Sequence, residues 1–243
     1  MKTPKMIIFD YGNTLLAEPG YDILRAEAEL LKYARVPQGV TESDVFRASK
    51  EAMRAVHAMQ HCGIDVCQRQ INAAVYGPLG IELNIPWEDA EDIYWRAASE
   101  GAVMPGAAEM LRYLKSRGIR TAVISNIMYS SAALKRRIDR LLPENEIEFA
   151  LASSDCLFRK PARQIFETAL TLARLDASDV WFCGDNPIAD VDGASAMGML
   201  PVWYVNGAYE NQFLGDAEGK TPTCEHMHIT EWGALIEALE RIK

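Results

Sequence analysis

Positive charge is scarce in this sequence: 25 Lys and Arg face 34 Asp and Glu, for a formal net charge of -9. Phosphate backbones are bound by stripes of Lys and Arg, so the imbalance argues against a nucleic-acid surface. It leaves room for a small phosphorylated ligand, whose charge a few local cations and a metal can meet. Long hydrophobic runs are absent too, and none approaches the roughly 20 residues that cross a bilayer. The opening MKTPKMIIFDYG meets an acid too early to be read as a signal peptide. Cysteine is sparse: Cys62, Cys67, Cys156, Cys183 and Cys224 are odd in number and scattered. That pattern suits reduced thiols in a cytoplasm rather than a disulfide framework. Cys183, inside an apolar run, reads as a core residue. Repeats and low-complexity tracts are also missing, and nothing implies an obligate protein partner. The expectation is a soluble, cytoplasmic protein.

What is present is ordinary globular material, 49% hydrophobic and 24% charged over 243 residues. That length holds one α/β domain plus a smaller insertion. Five short, continuously apolar runs stand out: Met6–Asp10, Thr121–Ser125, Glu148–Ala152, Val180–Gly184 and Leu200–Val205. Unbroken hydrophobicity means both faces are covered, as in a parallel sheet flanked by helices. Between them lie helical patterns. One opens at Pro105, turns Met110, Leu111 and Leu114 inward and stops at Gly118. Another follows Pro161, and a last one spans Glu231–Ile242. The expected fold is a doubly wound, Rossmann-like α/β core. The stretch from Glu18 to Val103 shows no convincing strand and reads as four helices: Tyr21–Arg35, Thr41–Gln60, Cys67–Tyr76 and Trp87–Ser99. Thr41 with Asp44 resembles a capping box. The expected organisation is a core of residues 1–17 and 103–243 with an inserted all-α cap at 18–102.

In an open parallel sheet the active site lies beyond the carboxyl ends of the strands. Those ends carry Asp10, Ser125-Asn126, Lys160-Pro161 a little past the third strand, and Gly184-Asp185 followed by Asp190. Carboxylates gathered in one crevice repel one another and need a cation, and an all-oxygen site suits Mg²⁺. The metal would keep Asp10 ionised and neutralise an approaching phosphate. A carboxylate can attack phosphorus to give an aspartyl-phosphate, splitting hydrolysis into two steps. Ser125 and Lys160 would hold the transferring phosphoryl oxygens.

These residues, in this order, resemble the four motifs of the haloacid dehalogenase-like (HAD) superfamily: Asp10 with Thr14, Ser125, Lys160-Pro161, and Gly184-Asp185 with Asp190. The resemblance covers essentially the whole chain, and the helical insert looks like the cap of subclass I members. It implies a phosphatase acting on a small phosphorylated metabolite. Asp10 would be nucleophile and metal ligand, the Gly12 carbonyl a second ligand and Asp185 the direct acidic ligand. Asp190 would ligate through water or orient the site. Thr14, Ser125, Asn126 and Lys160 make up the phosphate-binding set.

One position departs from the family pattern. Phosphatases of this kind usually carry an acid/base Asp two residues after the nucleophile, and here that residue is Gly12. General acid–base help is worth roughly two to four orders of magnitude in rate. Three outcomes stay open: substrates with good leaving groups, a proton from a cap residue or water, or slow turnover or mere phosphate binding.

Each feature has a plainer explanation. Asp10, Asp185 and Asp190 could be helix caps, and Ser125-Asn126 a strand-to-helix turn. Lys160 is poorly placed at the positive end of a helix, which suggests an anionic partner. His57 and His61 share a zinc-like spacing, but a solvated or substrate-facing helix surface is the better reading. Trp87, Tyr94 and Trp95 read as cap core, and His226 and His228 as alternation on an edge strand. Two rival functions remain: a metal-independent 2-haloacid dehalogenase, which the intact Gly184-Asp185 disfavours, and a non-catalytic phosphate-ligand-binding protein.

Overall fold

The computed structural model describes residues 2–210 and 213–242. In chain order, β1 (Met6–Phe9) leads through a tight turn into β2 (Leu16–Ala17). There follow α1 (Ile23–Leu31), β3 (Ala34–Arg35), α2 (Glu42–His61), α3 (Gln68–Leu79), β4 (Glu82–Leu83) and α4 (Trp87–Ala98). The chain then returns through β5 (Ala102–Val103), α5 (Ala107–Ser116), β6 (Arg120–Ser125), α6 (Ser131–Leu141) and β7 (Ile147–Ala152). It closes with α7 (Ser153–Cys156), α8 (Arg163–Ala173), β8 (Val180–Gly184), α9 (Gly193–Ala196), β9 (Leu200–Tyr204), β10 (Met227–Ile229) and α10 (Trp232–Glu240).

Six strands form one parallel sheet in the order β10-β9-β8-β1-β6-β7. β1 is central, so after it the chain winds outward to β6 and β7, then reverses to β8, β9 and β10. The reversal leaves a crevice at the carboxyl ends of β1 and its neighbours. Every residue of β1 and β8 is buried, because helices cover both faces. On one face Phe9 and Tyr204 pack on Trp232, edge-on at 5.6 Å and stacked at 4.2 Å. On the other, Met6, Ile8, Phe166 and Phe182 share a second cluster. The expected doubly wound core is the one observed, including an edge strand at Met227–Ile229.

Between β2 and β5, which pair as a short antiparallel ribbon, lie α1 to α4. The expected Thr41–Asp44 capping box is present, with the Asp44 N–H donating to Thr41 Oγ1 at 3.3 Å and the Thr41 N–H to Asp44 at 3.0 Å. The stretch expected to hold no strand contains three short ones: besides β5, Ala34–Arg35 pairs with Glu82–Leu83 as a two-stranded sheet. Two-residue strands are too short to show alternation, so a purely helical reading of this stretch could not see them. This segment is tied to the sheet-bearing part at Ile64, which bridges Phe158 in antiparallel fashion. There the Asp65 N–H donates to the Leu157 carbonyl at 2.7 Å and the Arg159 N–H to Gly63 at 3.0 Å.

Candidate active site

Asp10 follows β1 directly, its N–H continuing the ladder to the Cys183 carbonyl at 2.8 Å. The chain then turns sharply, with the N–H groups of Leu15 and Leu16 both donating to the Tyr11 carbonyl at 3.1 and 3.0 Å. Asn13 takes the left-handed conformation in that turn (φ 49°), which asparagine tolerates better than most residues. Gly12 has an ordinary φ, and a Cβ added there would meet nothing within 4 Å. Backbone geometry therefore does not require glycine at this position.

At the end of β8, by contrast, glycine is obligatory. A Cβ on Gly184 would come within 2.4 Å of the Asp190 carboxyl carbon. Asn186 opens the π-helical turn Pro187–Asp192, accepting from the Ile188 and Ala189 N–H groups at 3.0 and 2.9 Å. That turn swings Asp190 back over the strand end, where one oxygen accepts from the Asn186 N–H at 2.9 Å.

Lys160 joins the strand ends. Its ammonium contacts Asp10 Oδ1 at 2.6 Å and Asp190 Oδ1 at 2.6 Å, and donates to the Ile124 carbonyl at 2.9 Å. The ammonium thus makes two hydrogen bonds and one ion pair, and Asp190 Oδ1 is left without a hydrogen-bond donor. Its main chain is held by Asn126, whose amide donates to the Lys160 carbonyl at 2.9 Å and accepts from its N–H at 2.7 Å. The Lys160–Pro161 peptide is cis.

Asp10, Asp185 and Asp190 each place a carboxylate oxygen within 4.8 Å of the others. Burial is the largest effect on Asp10, pushing its carboxyl up to about 6 against the pull of Lys160, with Asp190 adding to the rise. Burial, then the Asp10 and Asp190 charges, hold Asp185 well above the usual carboxylate range. Burial would depress the Lys160 ammonium, but Asp10 and Asp190 outweigh it and raise it. Three acids against one lysine leave two negative charges uncompensated when all ionise. The donor set, buried and all oxygen, suits a hard divalent cation, and the residues therefore fit Mg²⁺.

The structure brings Asp10, Gly12, Ser125, Asn126, Lys160, Asp185 and Asp190 to the wall of one cavity. Thr14 is not among them: it is fully buried, with its hydroxyl unpartnered. Asn126 reaches the cavity, but its side chain is spent on the Lys160 main chain. His57 and His61 also line this cavity. Tyr94 and Trp95 are buried, as expected of core, while also bordering the space.

Sequence reasoning missed two buried ion pairs. Arg137 donates to both Glu18 oxygens at 3.0 and 2.6 Å, to Tyr11 Oη at 2.9 Å and to the Ser99 carbonyl at 2.7 Å. Tyr11 and the Trp95 indole also donate to Glu18, and Arg137 lies 4.5 Å over the Trp95 ring. Asp65 accepts from Ser153 Oγ and Arg159 Nη1, both at 2.6 Å. The partners are up to 119 residues apart, and no local pattern links them.

Fold and site together define a doubly wound α/β protein with an acidic, lysine-braced centre at its topological switch point. The family model of haloacid dehalogenase-like hydrolases matches residues 4–198, and the chain belongs to that family. A ribulose-1,5-bisphosphate 5-phosphatase of Halopiger xanaduensis is 34% identical over 116 residues, 46% of this chain and 47% of that protein. A glyceraldehyde 3-phosphate phosphatase of Pyrococcus furiosus is 31% identical over 140 residues, 57% of this chain and 55% of its own length. The chain thus spans about half the length of the curated relatives it matches. Among solved structures, a HAD phosphatase from Thermococcus onnurineus matches with TM-score 0.62 at 17% identity, over 98% of both chains. A 2-haloacid dehalogenase from Pseudomonas syringae matches with TM-score 0.61 at 20% identity, over 99% of both. At such identities the likeness speaks for the fold alone.

Proposed function

We propose that this protein is a Mg²⁺-dependent phosphatase of small phosphorylated metabolites, with Asp10 as a covalent nucleophile. The observation that carries the reading is the cluster of Asp10, Asp185 and Asp190 around Lys160. A dehalogenase attacking carbon has no use for three carboxylates, which without a metal would only repel the nucleophile. The phosphatases among its relatives support the same choice.

Asp10, Asp185, Asp190 and the Gly12 carbonyl would hold the cation, which would neutralise charge on the bound phosphoryl group. An Asp10 carboxylate oxygen attacks phosphorus while the bond from phosphorus to the leaving oxygen breaks, and the electron pair departs with that oxygen. Lys160 exchanges one of its acceptors for a phosphoryl oxygen, and Ser125 binds another. The Asn126 side chain fixes Lys160 rather than touching substrate, so any phosphate contact by Asn126 falls to its main-chain N–H. Water then attacks phosphorus, breaks the bond to Asp10 and releases phosphate. Glycine at position 12 moves no proton, so the leaving oxygen departs unassisted or takes a proton from water. Good leaving groups are accordingly favoured. Residues 18–102 would act as a cap over the site, and five free thiols fit a reducing cytoplasm.

Phosphate release from a panel of phosphate esters, with and without Mg²⁺, tests the reading. Metal-dependent turnover lost in Asp10→Asn supports it. Activity that survives a chelator or the substitution contradicts it.

A further inference from the structure

The site opens into a cavity of about 1290 Å³ that runs from Asp10 to the inner faces of α1 and α2. Drug-sized ligands occupy pockets of about 300–1,000 Å³, so a triose phosphate would leave most of this space unfilled. Beyond the three aspartates the wall mixes acids and amides with one apolar patch. Leu24, Phe46 and Phe213 line it and are 54%, 44% and 57% exposed, a high exposure for side chains of this size. Val45, Met53 and Ile71 extend the same surface.

Charge on the wall is as telling as its apolarity. Among the described residues, the Lys and Arg lining the cavity are Arg159 and Lys160. Arg159 is paired with Asp65, and Lys160 belongs to the reaction centre. The helices beyond contribute acids instead, including Glu27, which accepts from the Tyr76 hydroxyl at 2.6 Å. His57 and His61, the remaining basic side chains, are both exposed. A second phosphate or a carboxylate at the far end of the substrate would face these acids, with no Lys or Arg on the wall beyond Arg159 and Lys160.

We infer that the substrate is a phosphate monoester of an uncharged, aromatic-sized apolar alcohol, an aryl ester by preference. The inference rests on the phosphatase reading and narrows it. The apolar patch takes the leaving group, and Gly12 offers that group no proton. A phenolic oxygen meets that demand: its pKa of about 10 lies far below the roughly 15.7 of water, so it departs as a phenolate carrying the P–O electron pair. A bisphosphate or a phosphoglycerate satisfies neither condition, and a hexose phosphate lacks the apolar body.

The test compares kcat/KM for 1-naphthyl phosphate, phenyl phosphate, glucose 1-phosphate, 3-phosphoglycerate and ribulose 1,5-bisphosphate, with acetyl phosphate as a small reference. The naphthyl ester should exceed the phenyl ester by on the order of tenfold, mostly through KM, and the three polar substrates by more. Phe46→Ala and Leu24→Ala, at exposed positions outside the reaction centre, should shrink the naphthyl-over-phenyl preference through KM rather than kcat. Binding of 1-naphthylmethylphosphonate against methylphosphonate reads the cavity independently of turnover. Equal affinity for the two phosphonates overturns the inference, as does a bisphosphate or hexose phosphate turned over as well as the naphthyl ester. Tight naphthyl binding without phosphate release from any compound instead sinks the phosphatase reading and leaves the cavity assignment standing.

Discussion

Lys160 already contacts two carboxylates and a carbonyl, while Asp190 Oδ1 keeps no hydrogen-bond donor and the three acids outnumber the one lysine. On the proposed function a phosphate would exchange with one of these contacts, and the lysine would serve both the apo fold and the reaction. Gly12 is the opposite case, an open position that the backbone does not demand. Gly12→Asp should fold normally and raise kcat on alkyl phosphates, whose leaving groups need a proton, by about 10²-fold or more. Aryl esters should gain far less, and steady-state kinetics on matched alkyl and aryl esters reads the difference. An equal gain on both would show that proton transfer is not what position 12 lacks. At this scale the sequence was informative, because strand ends in a parallel sheet are where polar residues must be functional or capping. Asp10, Ser125, Lys160, Asp185 and Asp190 were legible for that reason. Thr14 was not: its place in a motif says nothing of which way a tight turn points its hydroxyl.

Elements are held where they are by contacts the sequence does not advertise. Arg137 on α6 clamps Glu18, just after β2, and Ser99, just after α4, so both passages of the chain around the helical segment meet one guanidinium. Arg137 and Glu18 are 3% and 7% exposed. Arg137→Met removes the guanidinium from a buried Glu18 carboxylate that keeps its Tyr11 and Trp95 donors, and should cost ~3–5 kcal/mol in urea unfolding; a loss below 1 kcal/mol would mean that water replaces the pair. Gly184→Ala tests the close approach at β8. The added methyl must displace Asp190, costing ~1–3 kcal/mol and weakening Mg²⁺ affinity, as calorimetric titration would show. The strands and most helices were readable from runs of apolar residues and from Pro and Gly punctuation. The β3–β4 pair was not, because two residues a side leave no periodicity to detect.

For the molecule as a whole, the carboxylate cluster couples folding to pH and, on the proposed function, to Mg²⁺. Asp10 has a folded-state value of about 6 against an ordinary 3.8. Below about pH 4 it is protonated in both states; above that the unfolded chain ionises first, so the metal-free protein loses stability from this group as pH rises towards 6. A cation displaces that proton. The Mg²⁺-induced rise in Tm should therefore be small at pH 4.5 and larger at pH 7.5; a constant rise would place the ion elsewhere. The helices between β2 and β5 also give the molecule a cavity whose apolar lining no strand-end motif could announce, since it is assembled from residues on several helices. The central claim is that Asp10 carries the phosphoryl group, and acid-quench trapping tests it most directly. Protein mixed with Mg²⁺ and ³²P-labelled 1-naphthyl phosphate, quenched within one turnover and digested, should yield one labelled peptide containing Asp10. That label should be labile to hydroxylamine and absent from Asp10→Asn. Phosphate release with no label on the protein, or label on a peptide lacking Asp10, would contradict the account.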